Sequence, residues 1–214
     1  MSIGIIGSGA LGSNAARAFA AKGLDVILSN SRGPESLAGL VREIGPHAKA
    51  GTIAEAAGAD IVLVAVPWVH IQAALHGLPA WNGRIVIDGT NAVEFLAPDS
   101  PDRNEASNPL AAYGIKAIDL GSRHSSAVFS EFVPGARVVK AFNHLDVNVL
   151  PEPETAGGKR VLFYSGDDVA AKGAVRDLIE TAGFFPIDLG TLDVGGPLAG
   201  LPFGTLATLN LVKI

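Results

Sequence analysis

The fold class predicted from this sequence is α/β: a doubly wound parallel sheet with a small C-terminal α/β portion. Three observations predict it. Apolar runs too dense to alternate, Ile3-Gly4-Ile5-Ile6, Ile61 to Val66 and Arg84-Ile85-Val86-Ile87-Asp88, recur with helix-compatible stretches between them, as parallel strands buried on both faces do. A glycine-rich turn, Gly7-Ser8-Gly9-Ala10-Leu11-Gly12, joins the first run to such a stretch. The composition, 48% hydrophobic and 17% charged, suits a sheet covered by helices on both sides.

Taken in order, the elements alternate. A strand over Ser2 to Ile6 precedes a helix over Ala10 to Ala21, which Gly23 stops; a strand over Asp25 to Ser29 precedes a helix over Pro34 to Ile44, which Pro34 opens at a favoured first-turn position. Thr52 caps a short helix through Ala57, and the strand from Ile61 ends at Pro67. A helix from Trp68 to His76 leads to the strand ending at Asp88, after which Ala97 to Pro109, with Pro98, Pro101 and Pro109, reads as a long surface loop. Beyond it the pattern gives a helix over Ser125 to Phe132, strands over Arg137 to Phe142 and Arg160 to Ser165, a helix over Val169 to Ala182 and a strand over Phe185 to Asp188. Pro151 to Gly158 is the most linker-like segment. It divides a nucleotide-binding portion, residues 1–150, from a small C-terminal portion, 151–214, that completes a substrate cleft.

Composition also excludes classes of function. A chain of 214 residues buries a sizeable core, and with no cysteine it has no thiolate metal site or cysteine nucleophile. A net charge of -5, with 16 Lys and Arg in no dense block, offers nothing to a nucleic acid. The longest strongly apolar run, Ile61 to Val69, is too short for a membrane span and is broken by Pro67, and Met1-Ser2 leads directly into a strand without a secretory signal. A cytoplasmic protein without membrane contacts is expected. The Gly- and Leu-rich tail from Gly190 suggests an apolar partner surface, hence a homodimer.

Between strand and helix, the glycine turn reads as a dinucleotide site. Gly7 allows the tight turn, Gly9 lets a pyrophosphate approach the backbone, Gly12 lets the helix pack on the strand, and Ser8, Ala10 and Leu11 supply N–H groups. Where the second strand ends, NAD enzymes usually carry an acid for the ribose 2'-hydroxyl. This chain reads Asn30-Ser31-Arg32, with a guanidinium fork and a hydroxyl suited to a 2'-phosphate, so NADP(H) is the cofactor expected. The ends of later strands add Ala65-Val66-Pro67, Trp68, His70 and Asn91 beside the cofactor, though a helix start and an Asx turn explain some of them as well. Asn143 and His144 end a further strand, and His144 is the candidate to touch a reacting ring. No catalytic residue is assigned, because no Ser/His/Asp set, carboxylate pair or metal-ligand cluster stands out.

The blocks Gly7 to Gly12, Asn30 to Leu37, Val66-Pro67-Trp68, Val138 to Asn143, Ser165 to Asp168 and Pro186 to Gly190 together span most of the chain. In this combination the sequence resembles the coenzyme F420-dependent NADP oxidoreductase family, which is itself similar to the reductase domain of membrane ferric reductases. The resemblance implies hydride transfer between C4 of NADPH and C5 of the deazaflavin F420, the second substrate, with the two rings stacked in one cleft. It places Ser31 and Arg32 on the 2'-phosphate, Val66-Pro67 on the nicotinamide side, and His144 beside the ring pair. It also places the Gly195 to Gly200 tail, with Pro197 and Leu198, on the deazaflavin side. From the residues themselves, a flavin or quinone-like acceptor, or a non-catalytic NADP-binding sensor, stays open.

Overall fold

The computed structural model describes residues 1–155 and 157–214. β1 (Ile3–Ile6) runs through the glycine turn into α1 (Ala10–Ala21), followed by β2 (Val26–Ser29), α2 (Ala38–Ile44), β3 (Ala48–Ala50) and α3 (Ile53–Ala57). Next come β4 (Ile61–Val64), α4 (Ile71–Leu75) and β5 (Ile85–Asp88). A hairpin of β6 (Val93–Phe95) and β7 (Ile115–Ala117) then precedes α5 (Ser125–Phe132) and β8 (Arg137–Ala141). The remainder holds β9 (Glu154–Thr155), β10 (Gly158–Gly166), α6 (Val169–Thr181), β11 (Phe185–Asp188), α7 (Leu192–Ala199) and β12 (Val212–Lys213).

The main sheet has the order β3-β2-β1-β4-β5-β8-β10-β11. From β3 to β8 every pairing is parallel, whereas β10 is antiparallel to β8 and parallel to β11. The fold is therefore a doubly wound, Rossmann-type α/β sheet whose strand order reverses between β1 and β4, opening a crevice at the carboxyl ends of those strands. The segment after Pro151 extends this same sheet through β10 and β11.

Strand residues alternate between faces, so a strand apolar at every position must be covered on both. The core is divided in that way. Ile61 and Leu63 of β4 enter one buried cluster with Phe19, Leu28 and Phe184, while Val62 and Val64 enter another with Trp68, Ile71 and Phe129. Among the described residues no helix is long and apolar enough to cross a membrane.

Most elements fall where the patterns put them, and the differences have physical causes. The helices predicted from Pro34 and Trp68 each open with a 3-10 turn, Pro34–Leu37 and Trp68–His70. Thr52 forms a full capping box with Glu55. β3 has no apolar run, being a half-exposed Ala-Lys-Ala at the sheet edge. The Ala97 to Pro109 segment is irregular apart from the 3-10 turn Pro101–Asn104, and the Arg103 guanidinium holds it by donating to the Ala97 and Leu96 carbonyls at 2.8 and 3.0 Å. The strands flanking it, β6 and β7, form a separate hairpin that the sequence pattern does not reveal.

Candidate active site

A cleft of about 370 Å³ opens at the carboxyl ends of β1, β4, β5 and β8. One wall is Gly9-Ala10-Leu11 with Ala65 to Trp68. The opposite wall is Gly89-Thr90-Asn91 with Phe142, Asn143 and Leu201. None of its lining residues is an acid, a histidine, a lysine, an arginine or a tyrosine.

The glycine turn has the geometry that a pyrophosphate needs. Gly7 has φ 111°, a left-handed conformation open to glycine, and a Cβ on Gly12 would lie 1.9 Å from the Gly7 carbonyl oxygen. A Cβ on Gly9 would meet nothing within 4 Å, so the backbone there is open to a ligand. Gly9 is also the N-cap of α1, with no side-chain cap and no acid in the first turn. The first N–H groups of α1 are thus free for an anion at the positive end of the helix dipole.

Asn30 ties this turn to the end of β2. Its Nδ2 donates to Ser8 Oγ at 3.1 Å and to Ser36 Oγ at 3.0 Å, and its Oδ1 accepts from the Arg32 backbone N–H at 2.9 Å. Ser36, absent from the sequence-based assignment, also donates to the Gly33 carbonyl at 2.7 Å. Ser31 and Arg32 are exposed, and none of the ion pairs among the described residues uses Arg32. Its guanidinium is available to a phosphate.

The opposite wall is built from side-chain amides. Asn91 Nδ2 donates to the Asn143 carbonyl at 2.8 Å, and Asn143 Nδ2 donates to Asn91 Oδ1 at 3.1 Å and to the Ala199 carbonyl at 2.9 Å. Asn91 Oδ1 also accepts from the Leu201 N–H at 2.9 Å, so both asparagines hold the chain that leaves α7. Phe142, just before Asn143, has φ 65°, which a bulky residue rarely adopts. Its ring is locked edge-on between Phe19 (centroids 5.5 Å apart) and Phe184 (6.5 Å), packing that over-determines the strained backbone.

The cleft thus brings together Gly9, Ala10, Leu11, Ala65, Val66, Pro67, Trp68, Asn91 and Asn143. Four expected residues lie elsewhere. His70 is exposed at the end of its 3-10 turn and does not line the cleft. His144 is 1% exposed and packs on the Phe163 ring at 4.7 Å, because the left-handed Phe142 breaks the strand's alternation before it. Neither of its ring nitrogens has a hydrogen-bond partner of good geometry, the Val161 backbone giving only a weak one. Burial pulls its pKa down to about 4, the Val161 backbone offsetting a little of this, and it cannot touch a ring in the cleft. Pro197 lines a neighbouring groove, and Leu198 lies on the exposed face of α7; only Leu201, three residues farther on, reaches the cleft. Among the lining residues absent from the sequence-based assignment are Thr90, Phe142 and Leu201.

Known proteins agree with this geometry. Over its full length the chain is 40% identical to a hypothetical protein of Sinorhizobium meliloti of known structure, covering 97% of that chain with a TM-score of 0.87. It is 27% identical to a candidate F420-dependent NADP-reductase of Arthrobacter sp. FB24, with 90% of this chain and 86% of that one covered and a TM-score of 0.71. The metalloreductase STEAP3 of Rattus norvegicus is 27% identical over 95% of this chain, which spans 37% of the length of that relative. Residues 2–92 match the family described as NADP oxidoreductase, coenzyme F420-dependent. Through this dinucleotide-binding part, which holds the glycine turn and Asn30 to Arg32, the chain is similar to that NADP-dependent oxidoreductase family.

Proposed function

We propose that the protein transfers a hydride between NADPH and a flat-ring acceptor, with the deazaflavin F420 as that acceptor. The observation that carries this reading is a cleft lined by apolar side chains, backbone and amides, without a titratable group. Reducing a ketone or an imine needs a placed proton donor, whereas hydride transfer between two stacked rings needs mainly position and exclusion of water. Bound NADPH supplies the hydride from its nicotinamide ring.

The residues have separable tasks in this proposal. The free N–H groups of Gly9, Ala10 and Leu11 take the pyrophosphate, and Ser31 and Arg32 take the 2'-phosphate. Asn30 fixes the distance between these two anion sites by bonding to both segments. Val66, Pro67 and Trp68 present an apolar surface to one ring, while Phe142 and Leu201 exclude water from the other side.

A flavin or a quinone-like ring is the second candidate acceptor, because the apolar, amide-lined cleft favours any flat ring. Mixing the protein with NADPH and either F420, FMN or a quinone, and following absorbance, tests the proposal. Turnover with F420 is expected. Turnover confined to FMN or quinone would replace the acceptor, and tight NADPH binding without turnover on any of them would make the protein a sensor.

A further inference from the structure

The centre of the sheet carries a charge pair that the hydride transfer does not use. Asp88 on β5 and Lys140 on β8 face each other in register, 0% and 1% exposed, with Nζ 2.9 Å from Oδ2. Parallel strands buried on both faces are normally filled with Val, Ile and Leu, and exchanging a buried ion pair for apolar side chains of similar volume is often neutral or stabilising. Cohesion of the core therefore does not account for these two residues.

Their remaining bonds run to the corner that follows β5. Asp88 Oδ1 accepts from the Thr90 N–H at 2.9 Å and from its hydroxyl at 2.6 Å, and Lys140 Nζ donates to the Thr90 carbonyl. The pair thus holds the backbone N–H, the hydroxyl and the carbonyl of Thr90. Asn91 comes next, and its amide clasps Asn143 and the Leu201 N–H. These hydrogen bonds, joined through the Thr90–Asn91 peptide, lead from the buried charges to the strap of chain between Ala199 and Leu201 that forms part of the cleft.

We propose that Asp88 and Lys140 are positioning residues, which hold the Thr90-Asn91 corner and, through Asn91, the Ala199 to Leu201 strap in the placement that hydride transfer needs. The catalytic consequence rests on the oxidoreductase proposal above; the structural consequence does not. A pair kept for stability alone is replaceable by well-packed apolar residues, and a positioning pair is not.

The test is the full chain carrying Asp88→Leu together with Lys140→Met. The expected result is a folded protein with a Leu201 amide that exchanges its hydrogen at least about 10-fold faster, and a kcat lower by roughly 10- to 100-fold with little change in KM for NADPH. A folded double variant with wild-type Leu201 exchange and wild-type kcat overturns the proposal. Should that variant not fold, Thr90→Val decides, because it removes the hydroxyl link and leaves both charges. Faster Leu201 exchange in Thr90→Val supports the proposal, and unchanged exchange sinks it. Absence of any NADPH turnover in the wild type would defeat the functional proposal, while Leu201 exchange would still report on the brace.

Discussion

The wall of the cleft around α1 takes its proposed anion sites from the continuous stretch Gly7 to Arg32, whereas the opposite wall joins residues 52 and 110 positions apart, Asn91 to Asn143 and Asn91 to Leu201. The first presents backbone N–H groups, set in place by Gly7 and Gly12, which leave no room for a side chain. The second presents amides and apolar side chains, set in place by interlocking hydrogen bonds and one strained phenylalanine. Binding a pyrophosphate is a task common to many enzymes that a short local motif accomplishes; shaping the second side of a cleft requires the whole fold. The family match follows the same division, since it covers residues 2–92 and leaves the strap beyond it.

The largest effect should come from the tightest contact of the local wall. In Gly12→Ala the new methyl would have to lie 1.9 Å from the Gly7 carbonyl oxygen, a backbone atom that cannot swing aside. Overpacking of this kind should cost at least about 3 kcal/mol in urea unfolding and abolish NADPH binding. A stable Gly12→Ala that binds NADPH normally would show that the turn is looser than its geometry and break the contrast with the opposite wall.

The opposite side offers a pH signature instead. The folded-state pKa of His144 is lowered by burial to about 4 from an ordinary value of 6.5. Between those values the unfolded chain takes up a proton that the folded chain refuses. His144 thus imposes no penalty above pH 6.5, and stability is lost as the pH falls toward 4, by roughly 3 kcal/mol in all. His144→Leu should flatten this part of the pH dependence of urea unfolding while leaving NADPH turnover near wild type. A variant that folds well but loses turnover would return His144 to the chemistry.

Arg32→Ala tests the cofactor choice. Loss of one charged hydrogen bond, about 1.5 to 3 kcal/mol, should weaken NADPH by roughly 10- to 150-fold and leave NADH little changed. An equal loss for both cofactors would remove Arg32 from the 2'-phosphate.

How much of this was legible in the sequence follows the same division. The strands that build the crevice announce themselves because they are apolar at every position, and α1 and α5 have the bounds their patterns predict. The position of Asn30 beside the glycine turn was legible because it follows a recognisable strand at a fixed distance from that turn. His144 was misplaced because the left-handed conformation of Phe142 depends on contacts with Phe19 and Phe184, which no local pattern encodes. Leu201 was missed for a similar reason: its place depends on Asn91, far away in the chain. The Asp88–Lys140 pair carries no sequence signal, because only the register of β5 against β8 places the two residues opposite each other.

The smallest expected effect is the most discriminating. Gly9 lies in the same turn as Gly12, yet a Cβ there meets nothing within 4 Å and its φ of -70° suits any residue. Gly9→Ala should therefore change unfolding free energy by no more than about 1 kcal/mol, the scale of an altered N-cap. The methyl would instead occupy the space through which a pyrophosphate approaches the free N–H groups of α1, weakening the dinucleotide by about 10-fold. Because NADPH and NADH share the pyrophosphate, both should weaken together, unlike in Arg32→Ala. Titrating each variant with both cofactors separates the two anion sites. If Gly9→Ala binds both as well as wild type, the open face above Gly9 does not receive the pyrophosphate, and the local wall loses its central part.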